Sequence, residues 1–100
     1  MKIWLDDLRT PPSEEWTWCK NTTEVKALLS LSNSRWDVEI LSLDNDHGED
    51  KIEGYRVLDW LEEKKFFVPG FVFPHKIRIH SANPVARRRM EQIIEKNGWK

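Results

Sequence analysis

The alternation of apolar and polar positions divides the chain into seven short elements. "KIWL" (2–5) is an apolar strand that ends abruptly at Asp6 and Asp7. Prolines 11 and 12 in "RTPPSEE" rule out a helix next, so a loop links the first strand to the second. That second strand is "WTWCK" (16–20), which alternates weakly. From Asn21 the period changes. Asn21 is a good N-cap, Glu24 stands three residues on, and Val25, Leu28 and Leu29 recur at helical spacing, predicting a helix over 21–32. "VEILSL" (38–43) is almost continuously apolar, the pattern of a strand covered on both faces.

Beyond the polar "DNDHGEDKIEG", Tyr55, Leu58 and Leu61 mark a helix over 54–65, with Val57 widening its apolar stripe. "FFVPGFVFPH" (66–75) reads as an apolar connection packed on the core, with room for a strand fragment between the turn signals Pro69-Gly70 and Pro74. "KIRIH" (76–80) places Ile77 and Ile79 on one face of a strand. Asn83 then caps a helix with Pro84 at its first position, Ala86, Met90, Ile93 and Ile94 on its apolar side, and Gly98 as its stop. The order is β, β, α, β, α, β, α. Strands alternating with helices predict an α/β fold with a mainly parallel sheet, whose ligands bind outside the carboxyl ends of the strands.

Composition narrows the classes. One hundred residues without a shift in composition predict a single domain over 1–100. The formal net charge of −1 gives no reason to expect bulk DNA binding or attraction to an anionic membrane. Cys19 is the one cysteine, so no internal disulfide is possible. The chain reaches two Asp after "KIWL", too early for a signal peptide, and no apolar run is long enough for a membrane span. A cytoplasmic protein is the expectation. The tryptophans flank or alternate with apolar strand residues and are expected mostly in the core.

The polar residues gather at the strand ends. The first strand stops at Asp6-Asp7 with Arg9 beyond, the third at Asp44, Asp46 and His47, and the last at His80-Ser81 before Asn83. In a parallel sheet all three clusters share one edge. Carboxylates crowded there repel one another unless a cation lies between them. Oxygen donors from two loops, Asp6, Asp7 and Asp44, suit a hard divalent ion, Mg²⁺ first with Mn²⁺ or Ca²⁺ behind it. No Cys/His spacing supports a zinc site. The helix opened by Asn83-Pro84 turns its free N–H groups toward the same edge, where Ser81 and Arg87 can donate to a phosphoryl oxygen and Arg9 can clamp from the other side.

"LDDLRTPP", "LSLDNDHG" and "IHSANPVAR" together resemble the cyclic-phosphate processing receiver-like family, a divergent branch of the response-regulator receiver fold. The resemblance spans nearly the whole chain. It implies a small flavodoxin-like, three-layer sandwich with about four to five strands, in which a loop replaces the first helix. Receivers bind Mg²⁺ with an acidic pair matched here by Asp6 and Asp7, and carry an Asp and a Ser or Thr matched by Asp44 and Ser81. Their fifth-strand Lys has no counterpart, which argues against ordinary phosphorelay. Arg9, Asp46, His80, Asn83 and Arg87 belong to the pattern of the branch. Asn45 stands where the family usually has His, and Ala86 where it often has Gly.

The resemblance implies an enzyme that opens a cyclic phosphate on a nucleotide or RNA end. Asp44, His80 and Asp46 would be catalytic, Asp6, Asp7 and Asp44 would hold the metal, and Arg9, Ser81, Asn83 and Arg87 would bind phosphate. Two alternatives stand beside it: a binding module that holds a phosphate-containing nucleotide signal intact, and a degenerate receiver acting through protein contacts.

Overall fold

The structure, a computed structural model, describes residues 1–35, 37–44, 53–80 and 84–99. Four strands, β1 (Lys2–Leu5), β2 (Trp16–Cys19), β3 (Ile40–Leu43) and β4 (Lys76–Ile79), form one sheet in the order β2-β1-β3-β4, and every pairing is parallel. Three helices, α1 (Thr22–Arg35), α2 (Glu53–Phe67) and α3 (Pro84–Asn97), complete it. The fold is the α/β receiver-like arrangement, with a loop and no helix between β1 and β2. No helix among the described residues is long and apolar enough to cross a membrane.

The one change of direction in this order has a physical cause. From β2 the chain passes over β1 to β3, and then on to β4, so the two crossovers through α1 and α2 run the same way. Right-handed crossovers that run the same way put their helices on the same face of the sheet. Accordingly α1 packs on α2 and α2 on α3. Beneath them lies one core, in which Ile3, Leu5, Leu41, Leu43, Ile77 and Ile79 meet Val25 and Leu29 of α1, Val57, Leu58 and Leu61 of α2, and Met90 and Ile94 of α3. The β1–β2 step runs the opposite way, and its connection is the 6–15 loop. That loop folds over the other face of the sheet, where the Trp4 indole donates to the Arg9 carbonyl at 2.9 Å. The layer beyond the sheet is therefore loop rather than helix.

The helix ends follow local chemistry. Asn21 Oδ1 accepts the Glu24 amide at 2.9 Å, while the Glu24 carboxylate reaches back to the Lys20 amide at 2.5 Å. At the end of α3, Gly98 takes φ of +71°. The Trp99 amide then bonds to the Ile94 carbonyl at 3.1 Å and the Gly98 amide to Glu95 at 3.2 Å, the paired bonds of a Schellman cap. This reversal brings buried Trp99 against Phe73 and lets its carbonyl accept the Ile77 amide at 3.0 Å on the outer edge of β4.

Three expectations are corrected. The second helix continues to Phe67, and 68–75 contains no strand. The apolar connection divides: Phe71 and Phe73 pack on the core, but Phe66 and Phe67 are 76% and 80% exposed and Val72 also faces solvent. Finally, Trp99 is buried, whereas Trp4, Trp16, Trp18 and Trp60 are only half-buried.

Candidate metal and phosphate site

The site begins with register. Leu5 is opposite both Cys19 and Leu43, and Leu43 is opposite Ile79. The ladder runs one residue further, since the amides of Asp6, Asp44 and His80 donate to the carbonyls of Cys19, Leu5 and Leu43, each at 3.0 Å. Asp6, Asp44 and His80 therefore stand side by side at the carboxyl edge, although up to 74 residues separate them in sequence. Strand alternation points them to the face that carries Trp4 and Ser42.

Asp6 is 2% exposed and holds two structures together. Its Oδ1 accepts the amides of Leu8 and Arg9, both at 2.8 Å, which turns the chain away from β1. Its Oδ2 faces inward, 3.2 Å from His80 Nε2 and 3.3 Å from Arg9 Nε. Asp44, also buried, lies with its Oδ1 3.4 Å from Arg9 Nη2. The Arg9 guanidinium thus lies between the two carboxylates. It supplies the positive charge that the crowding of acids demands, from a side chain that is itself 54% exposed.

His80 is held on every side. Its ring stacks on Trp4 with centroids 3.7 Å apart and planes at 3°. Nδ1 is 2.6 Å from the buried Ser42 hydroxyl. A carboxylate can only accept, so Nε2 carries the hydrogen toward Asp6 and Nδ1 accepts from Ser42. Burial lowers the His80 pKa below its ordinary 6.5; the nearby Asp6 charge opposes that shift and the Arg9 charge adds to it. The ring is neutral near pH 7.

Asp6, Asp44 and His80 each offer a ligand atom, all within 4.8 Å of one another, so this buried group could hold a metal ion. Two carboxylates and a neutral imidazole fit a divalent cation chemically, and Ser42 is placed to orient the imidazole. Asp7, half-buried, is not in the group. Arg87 does not join it either: its Nε is 2.9 Å from Glu91 one turn along α3, in a groove between that helix and the outer edge of β4. Asp46, His47, Ser81 and Asn83 lie outside the described residues. Sequence reasoning missed Ser42, yet there was a signal: it is the one polar residue inside "ILSL" and lies two positions before Asp44, hence on the same face.

No curated protein and no solved structure matches the chain. The family model of the cyclic-phosphate processing receiver domain, however, matches residues 1–96, which includes all four strands and the Asp6–Asp44–His80 edge. The chain belongs to the cyclic-phosphate processing receiver domain family.

Proposed function

We propose that this protein hydrolyses a cyclic phosphate on a nucleotide or RNA end, with a divalent cation at Asp6, Asp44 and His80. The observation that carries the reading is the buried Asp6–Asp44 pair bridged by the exposed Arg9 guanidinium. Mg²⁺ or Mn²⁺ suits the site, and the imidazole donor favours Mn²⁺ of the two. When bound, such an ion neutralises phosphoryl charge and lowers the pKa of water. Asp7 is the reserve carboxylate beside it.

The remaining steps belong to the chain's own side chains. With Asp6 and Asp44 engaged by an ion, Arg9 would turn its forked guanidinium to the phosphoryl oxygens. Ser81 and Asn83, whose part rests on the family pattern, and the start of α3 would supply neutral donors. Arg87 can add to them only by leaving Glu91. With the one Nε2 lone pair of His80 given to the cation, the proton of the attacking water would pass to the Asp44 carboxylate oxygen that does not hold the ion. The Ser42 hydroxyl can either donate or accept, so it supports His80 in both tautomers, including the one whose Nε2 lone pair faces the site. As water adds at phosphorus, the bond to one ring oxygen breaks and that oxygen takes up a proton, for which Asp46 is the candidate donor.

The test is product analysis by chromatography. Purified protein is incubated with Mg²⁺ or Mn²⁺ and a panel of 2′,3′-cyclic, 3′,5′-cyclic and cyclic oligonucleotide phosphates, with Asp44→Asn in parallel. A ring-opened product absent from the variant supports hydrolysis. A ligand that binds and is recovered intact makes the domain a binding module, the second reading.

A further inference from the structure

The sheet has two unlike faces. On the helix side its strand residues are Ile, Leu, Cys and one Thr, with no charge. On the other side, register aligns Lys2 with Trp16, Trp4 with Trp18 and Ser42, and Ser42 with Arg78. Every charged strand residue on this side is a cation: Lys2, Lys76 and Arg78. Lys20 follows directly after β2, its Nζ 4.8 Å from the Trp18 ring centroid. Lys76 and Arg78 are exposed, and the three indoles are half-exposed. Trp16 meets Trp4 edge to face at 5.6 Å, and Trp4 stacks on His80, so the aromatic row runs without a break into the candidate site.

We infer that this helix-free face is a platform for single-stranded RNA, whose terminal phosphate is delivered to the Asp6–Asp44–His80 edge. Aromatic rings interleaved with Lys and Arg, on a sheet face that carries the 6–15 loop and no helix among the described residues, are what a flexible nucleotide chain needs. Bases stack on the rings while the cations track the phosphates. The asymmetry of charge supports this occupant. The chain as a whole carries −1, yet the charged strand residues on this face are all cations; among the described residues Lys2 pairs with Glu15 at 3.2 Å, and Lys76 and Arg78 line a groove shared with Arg87, Glu91 and Glu95. A duplex would present its bases stacked inside and could use only the charges. The inference rests on the phosphoryl-site reading for the identity of the RNA end, and on the sheet face for everything else.

The experiment is fluorescence anisotropy with a labelled single-stranded decaribonucleotide ending in a 3′-hydroxyl, in EDTA. Neither metal nor turnover then enters. The wild type is expected to bind the decamer at least about tenfold more tightly than it binds the mononucleotide or a duplex of equal length. Affinity should fall with salt with a log–log slope of about −2, as for three neutralised phosphates on a single strand. Lys76→Glu with Arg78→Glu should weaken binding by about tenfold and flatten that slope by about 1.4, while Lys96→Glu on α3 leaves both unchanged. Equal affinity for decamer and mononucleotide, or full binding by the double variant, overturns the inference while leaving hydrolysis standing. Binding to phosphatidylserine vesicles without binding to RNA overturns it in favour of a membrane surface. Loss of hydrolysis with this binding intact would remove the catalytic reading alone.

Discussion

Gly54 is the position at which the fold and the site constrain each other most tightly. It lies in the first turn of α2, where replacing glycine by alanine ordinarily gains up to about 1 kcal/mol. Here the added Cβ would come 2.7 Å from the Asp44 carbonyl oxygen and 3.4 Å from its carbon, and would also collide with Met90 Cε. Real Cβ atoms essentially never sit within 3.0 Å of such a neighbour. The Met90 methyl can rotate away. The Asp44 carbonyl cannot, because the Asp44 amide is tied to Leu5 and the preceding Leu43 carbonyl to the His80 amide. Overpacking costs about 1–3 kcal/mol, and a main-chain obstacle belongs to the upper part of that range. After the helical gain, Gly54→Ala should lose about 2 kcal/mol, or roughly 8–16 °C in Tm for a domain of this size. Circular dichroism during heating and urea titration would measure it. The carboxylate displaced with the Asp44 backbone should also weaken Mn²⁺ binding. A variant as stable as the wild type, or more stable, would refute the close approach of α2 to the end of β3.

Four further outcomes follow from the same geometry. Arg9→Gln removes the internal cation and should tighten Mn²⁺ binding by about tenfold if Arg9 is paired in roughly nine molecules of ten; calorimetry reading equal or weaker affinity would exclude Arg9 as a competitor. The lowered His80 pKa means that its stabilising effect is complete above the ordinary value of 6.5 and is lost as pH falls from there through the folded value. Urea midpoints between pH 7.5 and 5 should therefore fall more in the wild type than in His80→Gln, and NMR should place the His80 titration below 6.5. The Cys19 thiol is pushed up to about 11, by burial first and by the Glu24 charge second, so it should resist a thiol reagent at pH 8 until the chain unfolds. Phe66→Ser and Phe67→Ser should each change Tm by no more than a degree or two, because both rings already face solvent.

Much of the architecture was present in the order of residues. The alternation in "KIRI", the caps at Asn21 and Gly98, and the prolines at 11 and 12 act within a few residues of themselves, so they fix strands, helix ends and the missing helix wherever the rest of the chain lies. That Asp6, Asp44 and His80 would share an edge followed from three strands ending in polar residues, once the sheet was parallel. What tertiary structure alone decided was which groups face one another. Register put Ser42 on His80 and carried Arg9 between two carboxylates, contacts that no local period encodes. Arg87, one turn into its helix, was equally free to reach the site or a neighbour, and Glu91 four residues on lay closer. The charge of the sheet faces is the clearest case. A net charge of −1 is a sum over the whole chain, whereas a ligand meets one surface. Because both helical crossovers run the same way, α1 and α2 cover one side, α3 packs beside α2, and the cations and indoles of the strands are left together on the other.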